Sequence, residues 1–148
     1  MPKAALRLRP SGLPNSPAAD MANHPNLVTE LFSARPAGSP LFVAPDGKTV
    51  TTREALGRIG RMAAFLAEWG VGPGDRMSFK LDKSLDAILL AHACFYRGAI
   101  LHPLNTTYTD PEIAALLSDA EPTLLVCEET EHDRLAPIAE AAGSRIAT

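Results

Sequence analysis

Nine consecutive residues, Ile88–Tyr96, include only one that is not apolar, His92. The run is far short of the ~20 apolar residues that a membrane span requires. Ser84 stands where an N-cap would, Asp86 lies near the positive end, and Gly98 follows as a stop, predicting a helix over 84–97. A helix apolar on nearly every side cannot lie flat on a surface, so it must be buried on most sides. That demands a layered fold in which strands cover one side and other elements cover the rest.

The neighbouring segments supply those layers. Residues 26–33 have the spacing of a short helix, and the runs 41–44 and 48–51 flank Pro45-Asp46-Gly47 as a β-hairpin would. Thr51 or Thr52 caps the next helix, with Glu54 in its first turn and an apolar stripe at Leu56, Ile59, Ala63 and Leu66. Arg53, Arg58 and Arg61 fall elsewhere on the wheel and should face water. Gly57 and Gly60 each cost about 1 kcal/mol relative to alanine inside a helix, which suggests close approach to another backbone. Gly70 ends this helix as a left-handed cap.

After a Gly72–Asp75 turn come strand 76–79, the buried helix, and strand 99–102. Thr109 and Glu112 form a capping box around Pro111, opening a further helix. Strand 123–126, helix 131–142 and the start of a strand at 144–148 complete the order. Strict α–β alternation predicts an α/β fold: a partial doubly wound, mostly parallel sheet with flanking helices and an N-terminal hairpin.

Composition bounds the class. With 148 residues and 46% apolar content the chain is long enough for one domain with a real core. A net charge of −3 gives no electrostatic footing for a general nucleic-acid role. Residues 1–109 carry +4 and residues 110–148 carry −7, but the acids are dispersed among apolar residues and read as a solvated face. Residues 1–20 hold four prolines, three basic residues and no acid before Asp20, so they cannot form one regular element. They read as a disordered leader or upstream-start extension, and the folded unit is expected over 21–148. A soluble, cytoplasmic protein is expected, with neither a membrane nor a nucleic-acid partner.

Side chains capable of chemistry are scattered. His92 and Cys94 sit two apart on one helix, about 200° around the wheel, and cannot chelate one ion. His102, His132 and Cys127 lack local partners, though His102 stands at a strand's carboxyl end, where open α/β sheets place ligand groups. Gly70–Gly74 follows a helix and precedes a strand, the reverse of a phosphate loop, and so reads as a structural turn. Asn105–Tyr108 is a polar loop whose connecting and capping role outweighs a pocket-lining one. The residues alone assign no catalytic group and no metal ligand, and they leave cofactor-binding residues open.

Four ordered segments carry a resemblance: Ala67–Arg76, Lys83-Ser84-Leu85, Tyr96–Asn105, and Asp119–Pro122 leading to Leu124–Val126. Together they resemble the N-terminal part of the AMP-forming acyl-CoA synthetases, within the adenylate-forming ligases, from about Asn26 onward. Asp82-Lys83-Ser84 with Pro103–Thr109 is most similar to the malonyl-CoA synthetases. Many members carry an aromatic where Thr52 stands. The resemblance implies the fold of the family's large domain. It also implies a fatty-acid-metabolism ligase that uses ATP, Mg2+ and CoA to convert a small carboxylic acid into its thioester, with AMP and pyrophosphate released.

The family's Ser/Thr/Gly-rich phosphate loop, its adenine-contacting segments and its catalytic lysine have no counterpart among these 148 positions. In-line attack on an α-phosphate needs charge-stabilising groups that no loop here supplies. Residues 21–148 are therefore expected to be an incomplete N-terminal portion of an AMP-binding domain, inactive alone, binding no cofactor tightly, and prone to self-association through uncovered apolar surface. A stand-alone α/β scaffold or binding module that pairs with a separately encoded remainder stays open. So does an unrelated doubly wound domain that shares the pattern.

Overall fold

The computed structural model describes residues 27–44 and 47–148. The 1–20 leader and the Pro45-Asp46 part of the hairpin turn lie outside the described residues; Gly47, at φ 82°, has the left-handed backbone that turn needs. In chain order the elements are α1 (Leu27–Ser33), β1 (Pro40–Val43), β2 (Thr49–Thr51), α2 (Thr52–Glu68), β3 (Arg76–Lys80) and α3 (Leu85–Tyr96). There follow β4 (Ile100–Pro103), α4 (Asp110–Ala120), β5 (Leu124–Cys127), a 3₁₀ turn at Glu129–Glu131, α5 (His132–Ala141) and β6 (Arg145–Ala147).

Local chemistry sets the boundaries. The Glu54 carboxylate accepts from the Thr51 amide and hydroxyl, both at 2.8 Å, while the Glu54 amide donates to Thr51 Oγ1 at 3.3 Å. Glu112 accepts from the Thr109 amide and hydroxyl in the same way, at 2.8 and 2.7 Å. Ser84 Oγ accepts from the Ala87 amide and starts α3. These bonds satisfy amide donors that a helix start leaves without intrahelical partners. Gly70, at φ 77°, closes α2 with the Val71 amide reaching back to the Leu66 carbonyl.

β3, β4, β5 and β6 form one parallel sheet in the order β4-β3-β5-β6, and β1–β2 form a separate antiparallel pair. The expected doubly wound sheet and hairpin are therefore present. β5 is buried at every position, because Leu124 and Val126 enter one core while Leu125 and Cys127 enter the other. The first core lies under α1, α2 and α3, and the second under α4 and α5. The strand order reverses beside β3, since the chain leaves toward β4 and returns past it to β5. The carboxyl ends of β3 and β5 thus flank the switch point.

Several expectations need correction. α3 is not buried all round: Ala87, Leu89, Leu90, Ala93 and Cys94 face inward, but Ile88 is 45% and Phe95 41% exposed. Packing against the sheet and α2 uses only part of its circumference, and β3 and β5, not α3, occupy the middle. On α2 the buried stripe runs through Ala55, Ile59, Met62, Ala63 and Leu66, leaving Leu56 half-buried. Among the described residues Gly57 approaches no other backbone; a Cβ there would meet only Arg61 Nη1, at 3.7 Å. Arg58 does not simply face water but pairs with Asp86 across the α2–α3 junction.

Candidate functional site

Two places in the fold concentrate side chains that could matter for function. The first is the carboxyl end of β3 and β5. Lys80 ends β3 with its side chain only 3% exposed, and its ammonium donates to both oxygens of Glu131 at 2.6 and 2.9 Å. Arg134, in the first turn of α5, donates to the same carboxylate at 2.5 Å and pairs with Asp110 at the start of α4. Nearby, the Asp82 amide donates to Glu128 Oε1 at 3.1 Å. A charge this deeply buried is tolerable only when paired and hydrogen-bonded, and Glu131 supplies both conditions for Lys80. Neither member of the pair was singled out from the sequence. The residues stand 51 positions apart, and only the β3–β5 register with the turn after β5 brings them together.

The second place is an apolar groove of about 850 Å³ between the hairpin and α3, with Phe42, Val50, Phe79, Leu81, Ile88 and His92 in its walls. It opens on the outward stripe of α3. Its lining offers shape and hydrophobic surface rather than convergent polar groups.

The residues weighed from sequence are dispersed. His92 Nδ1 lies 2.7 Å from the Ile88 carbonyl, and its ring stands 5.6 Å from that of Phe32. His102 Nδ1 is 2.8 Å from Ser78 Oγ, its opposite number on β3, and Ser78 is fully buried. His132 pairs with Asp133 on the exposed start of α5. Burial pushes the Cys94 thiol up to about 11 and the Cys127 thiol up to about 12, the latter aided by Glu131 and Glu128. A thiol at that end of the range is protonated at neutral pH and unreactive.

The two loops behave as connectors. Asn105 Oδ1 accepts from the Thr107 amide and hydroxyl, both at 3.0 Å, so the polar loop is closed on itself as an Asx turn. In the glycine-rich turn, the Gly72 amide donates to Asp75 Oδ2 at 2.7 Å and the Gly74 amide donates to the Gly98 carbonyl. Gly98, which accepts that bond, has a left-handed backbone at φ 70°, and a Cβ added to it would stand 3.5 Å from Pro73 Cβ. Among the described residues no group of three His, Cys, Asp or Glu side chains could hold a metal ion, and no helix is long and apolar enough to cross a membrane. What the geometry offers is binding and scaffolding surface around an internally satisfied sheet edge.

Comparison with known proteins places this frame. A family model described as AMP-binding enzyme matches residues 30–147. The crystal structure of apo MatB from Rhodopseudomonas palustris superposes with a TM-score of 0.77 at 32% identity, over 82% of this chain and 24% of that one. ATP-bound MatB from the same organism gives 0.76 at 33% identity, again over 82% and 24%. Among curated proteins, the fatty acid–[acyl-carrier-protein] ligase ScoC of Streptomyces coeruleorubidus is 29% identical over 82% of this chain and 23% of its own length. The nonribosomal peptide synthetase inpB of Emericella nidulans is 29% identical over 90% of this chain and 6% of its own. The chain thus spans a quarter or less of these relatives.

Proposed function

The chain belongs to the AMP-binding enzyme family, and on that premise we propose that residues 27–148 are the N-terminal portion of an adenylate-forming large domain. In the whole protein that domain activates a small carboxylic acid with ATP and Mg2+ and passes the acyl group to CoA. The observation that carries this reading is the family match, which runs from α1 to β6 without leaving out an element. Malonate is the favoured acid. Its support is the segment pair Asp82–Ser84 and Pro103–Thr109, together with the MatB structures at 32–33% identity.

Within that activity these residues serve as scaffold. No catalytic, nucleotide or metal-binding role is assigned to Lys80, Glu131, His102 or either cysteine, because each is already engaged or buried in the fold. The apolar groove and the outward stripe of α3 favour a surface that the remainder of the domain covers, whether encoded in the same chain or separately.

A graft tests this. Residues 27–148 replace the matching first quarter of R. palustris MatB, and ATP–pyrophosphate exchange is followed with malonate and a panel of short carboxylic acids. Exchange with malonate well above a no-enzyme blank is expected. A soluble graft that melts cooperatively yet exchanges with none of the acids would overturn the scaffold reading, and exchange only with another acid would overturn malonate. The chain by itself is expected to release no pyrophosphate.

A further inference from the structure

On α2, Arg53, Gly57 and Arg61 recur every fourth residue and therefore lie along one face within two turns. Arg58 stands beside them, and with Thr49, Val50 and Glu54 these residues line a shallow pocket of about 380 Å³, which shares Val50 with the apolar groove. That size falls within the roughly 300–1,000 Å³ of small-molecule sites. Three of its seven lining residues are arginines against one carboxylate, a balance that suits a compact anionic group.

Gly57 is the informative member. Glycine is the poorest helix former after proline, so a mid-helix glycine usually answers to a packing need. None is seen among the described residues, where an added Cβ would make only an ordinary contact with Arg61 Nη1 at 3.7 Å. The effect of the glycine is to leave a notch. Side chains on a helix lean toward its N-terminus, and Arg61 accordingly folds back over Gly57.

The charges around the notch are unevenly committed. Arg58 is paired with Asp86, and the Glu54 carboxylate is held by the Thr51 amide and hydroxyl. Arg53 and Arg61 are exposed, and neither guanidinium has an ion-pair partner among the described residues. Two guanidinium forks without ion-pair partners among the described residues, flanking a notch with Thr49 in its wall, form a receptor for phosphoryl oxygens.

We propose that the Arg53–Gly57–Arg61 notch on α2 binds the phosphate groups of a phosphorylated small molecule, with an inorganic diphosphate as the simplest ligand. The site is built from one helix and the adjoining hairpin strand, so it needs no other part of the protein.

The test is calorimetric titration of the 148-residue chain with sodium pyrophosphate at low ionic strength. Saturable binding at a roughly millimolar or lower Kd is expected. The double variant Arg53→Gln/Arg61→Gln should weaken it at least tenfold. Gly57→Glu, which fills the notch and adds a competing carboxylate, should do the same. Arg76→Gln removes an exposed charge elsewhere and should stay within twofold. Unchanged thermal melting certifies each variant; if Gly57→Glu fails that check, the double arginine variant decides alone. Absence of saturation, or an equal loss in Arg76→Gln, would overturn the site. Equal affinity for malonate would overturn its phosphoryl character. Concentration-dependent association of the chain that disappears in the double arginine variant, without pyrophosphate binding, would show a protein contact instead and likewise overturn it.

Discussion

Replacing Leu89 and Ile88 by alanine, one at a time, asks which side of α3 faces the core. The two are adjacent in sequence and similar in size, yet Leu89 is fully buried while Ile88 is 45% exposed. A Leu→Ala change at a closed core site costs about 2–5 kcal/mol, because it loses transfer free energy and leaves a cavity. Leu89 packs in the core between the sheet and α2, so its loss should fall in that range. Ile88 retains roughly half of a full burial term of about 1.5–3 kcal/mol and borders open groove, where no closed cavity can form. Its loss should be about 1 kcal/mol. Urea unfolding monitored by circular dichroism measures both, with an unchanged slope required so that the midpoints report stability. If Leu89→Ala leaves too little folded protein, the smaller truncation Leu89→Val keeps the same ordering. Equal costs at the two positions would refute the assigned orientation. In the MatB graft, a larger cost at Ile88 than in the isolated chain would show that the outward stripe has gained a cover.

Lys80→Met should destabilise the chain by about 2–3 kcal/mol in the same urea assay. That is below the 3–5 typical of a broken buried pair, because Glu131 keeps Arg134 and some access to water; a change under 0.5 kcal/mol would refute the pairing. Thr51→Ala should cost about 1 kcal/mol through loss of the α2 cap. The Thr51 and Thr109 amides, and then their hydroxyls, hold the Glu54 and Glu112 carboxyls below the usual carboxylate range. Their contribution is therefore full above the unfolded pKa and lost as pH falls through the depressed folded values; Glu54→Gln/Glu112→Gln should flatten the acid limb of a melting-temperature profile, and an unchanged limb would count against it. Both cysteines should resist a disulfide reagent at pH 8 in the folded state and react in urea, since burial raises the two thiols to about 11 and 12; stoichiometric labelling of folded protein would contradict this.

Features set by short-range chemistry were readable from the sequence. Thr51-x-x-Glu54, Thr109-x-x-Glu112, Ser84 and Gly70 each act within one helical turn, and each marks the boundary expected of it. The alternation of elements was equally plain, because apolar periodicity is local, and it led to the parallel sheet. Orientation was harder. In α3 every side of the wheel is apolar, so the sequence carries no sign of which stripe turns outward, and only the placement of α2 and the sheet decides it. On α2, Ala55 and Leu56 are adjacent and both apolar, and the crossing with its neighbours selected the smaller one. Little of the carboxyl-edge arrangement was visible, since Lys80 and Glu131 meet through strand register, as do Ser78 and His102.

Arg145 on β6 lies over the ring of Trp69 at the end of α2, 4.5 Å from its centroid, and Trp69 is the one tryptophan in the chain. β6 is only three residues long and is held on one side by β5. A short outer strand opens before the central ones do, through partial unfolding that leaves the rest of the sheet intact. The indole therefore reports on the last strand independently of the core. Its emission should shift when β6 lifts and Arg145 withdraws, at denaturant concentrations where the helical signal has not yet changed. The gap between the two midpoints measures how firmly the strand is fastened, and Ile146→Ala, which trims the packing of β6 on the second core and leaves Arg145 over the indole, should widen it.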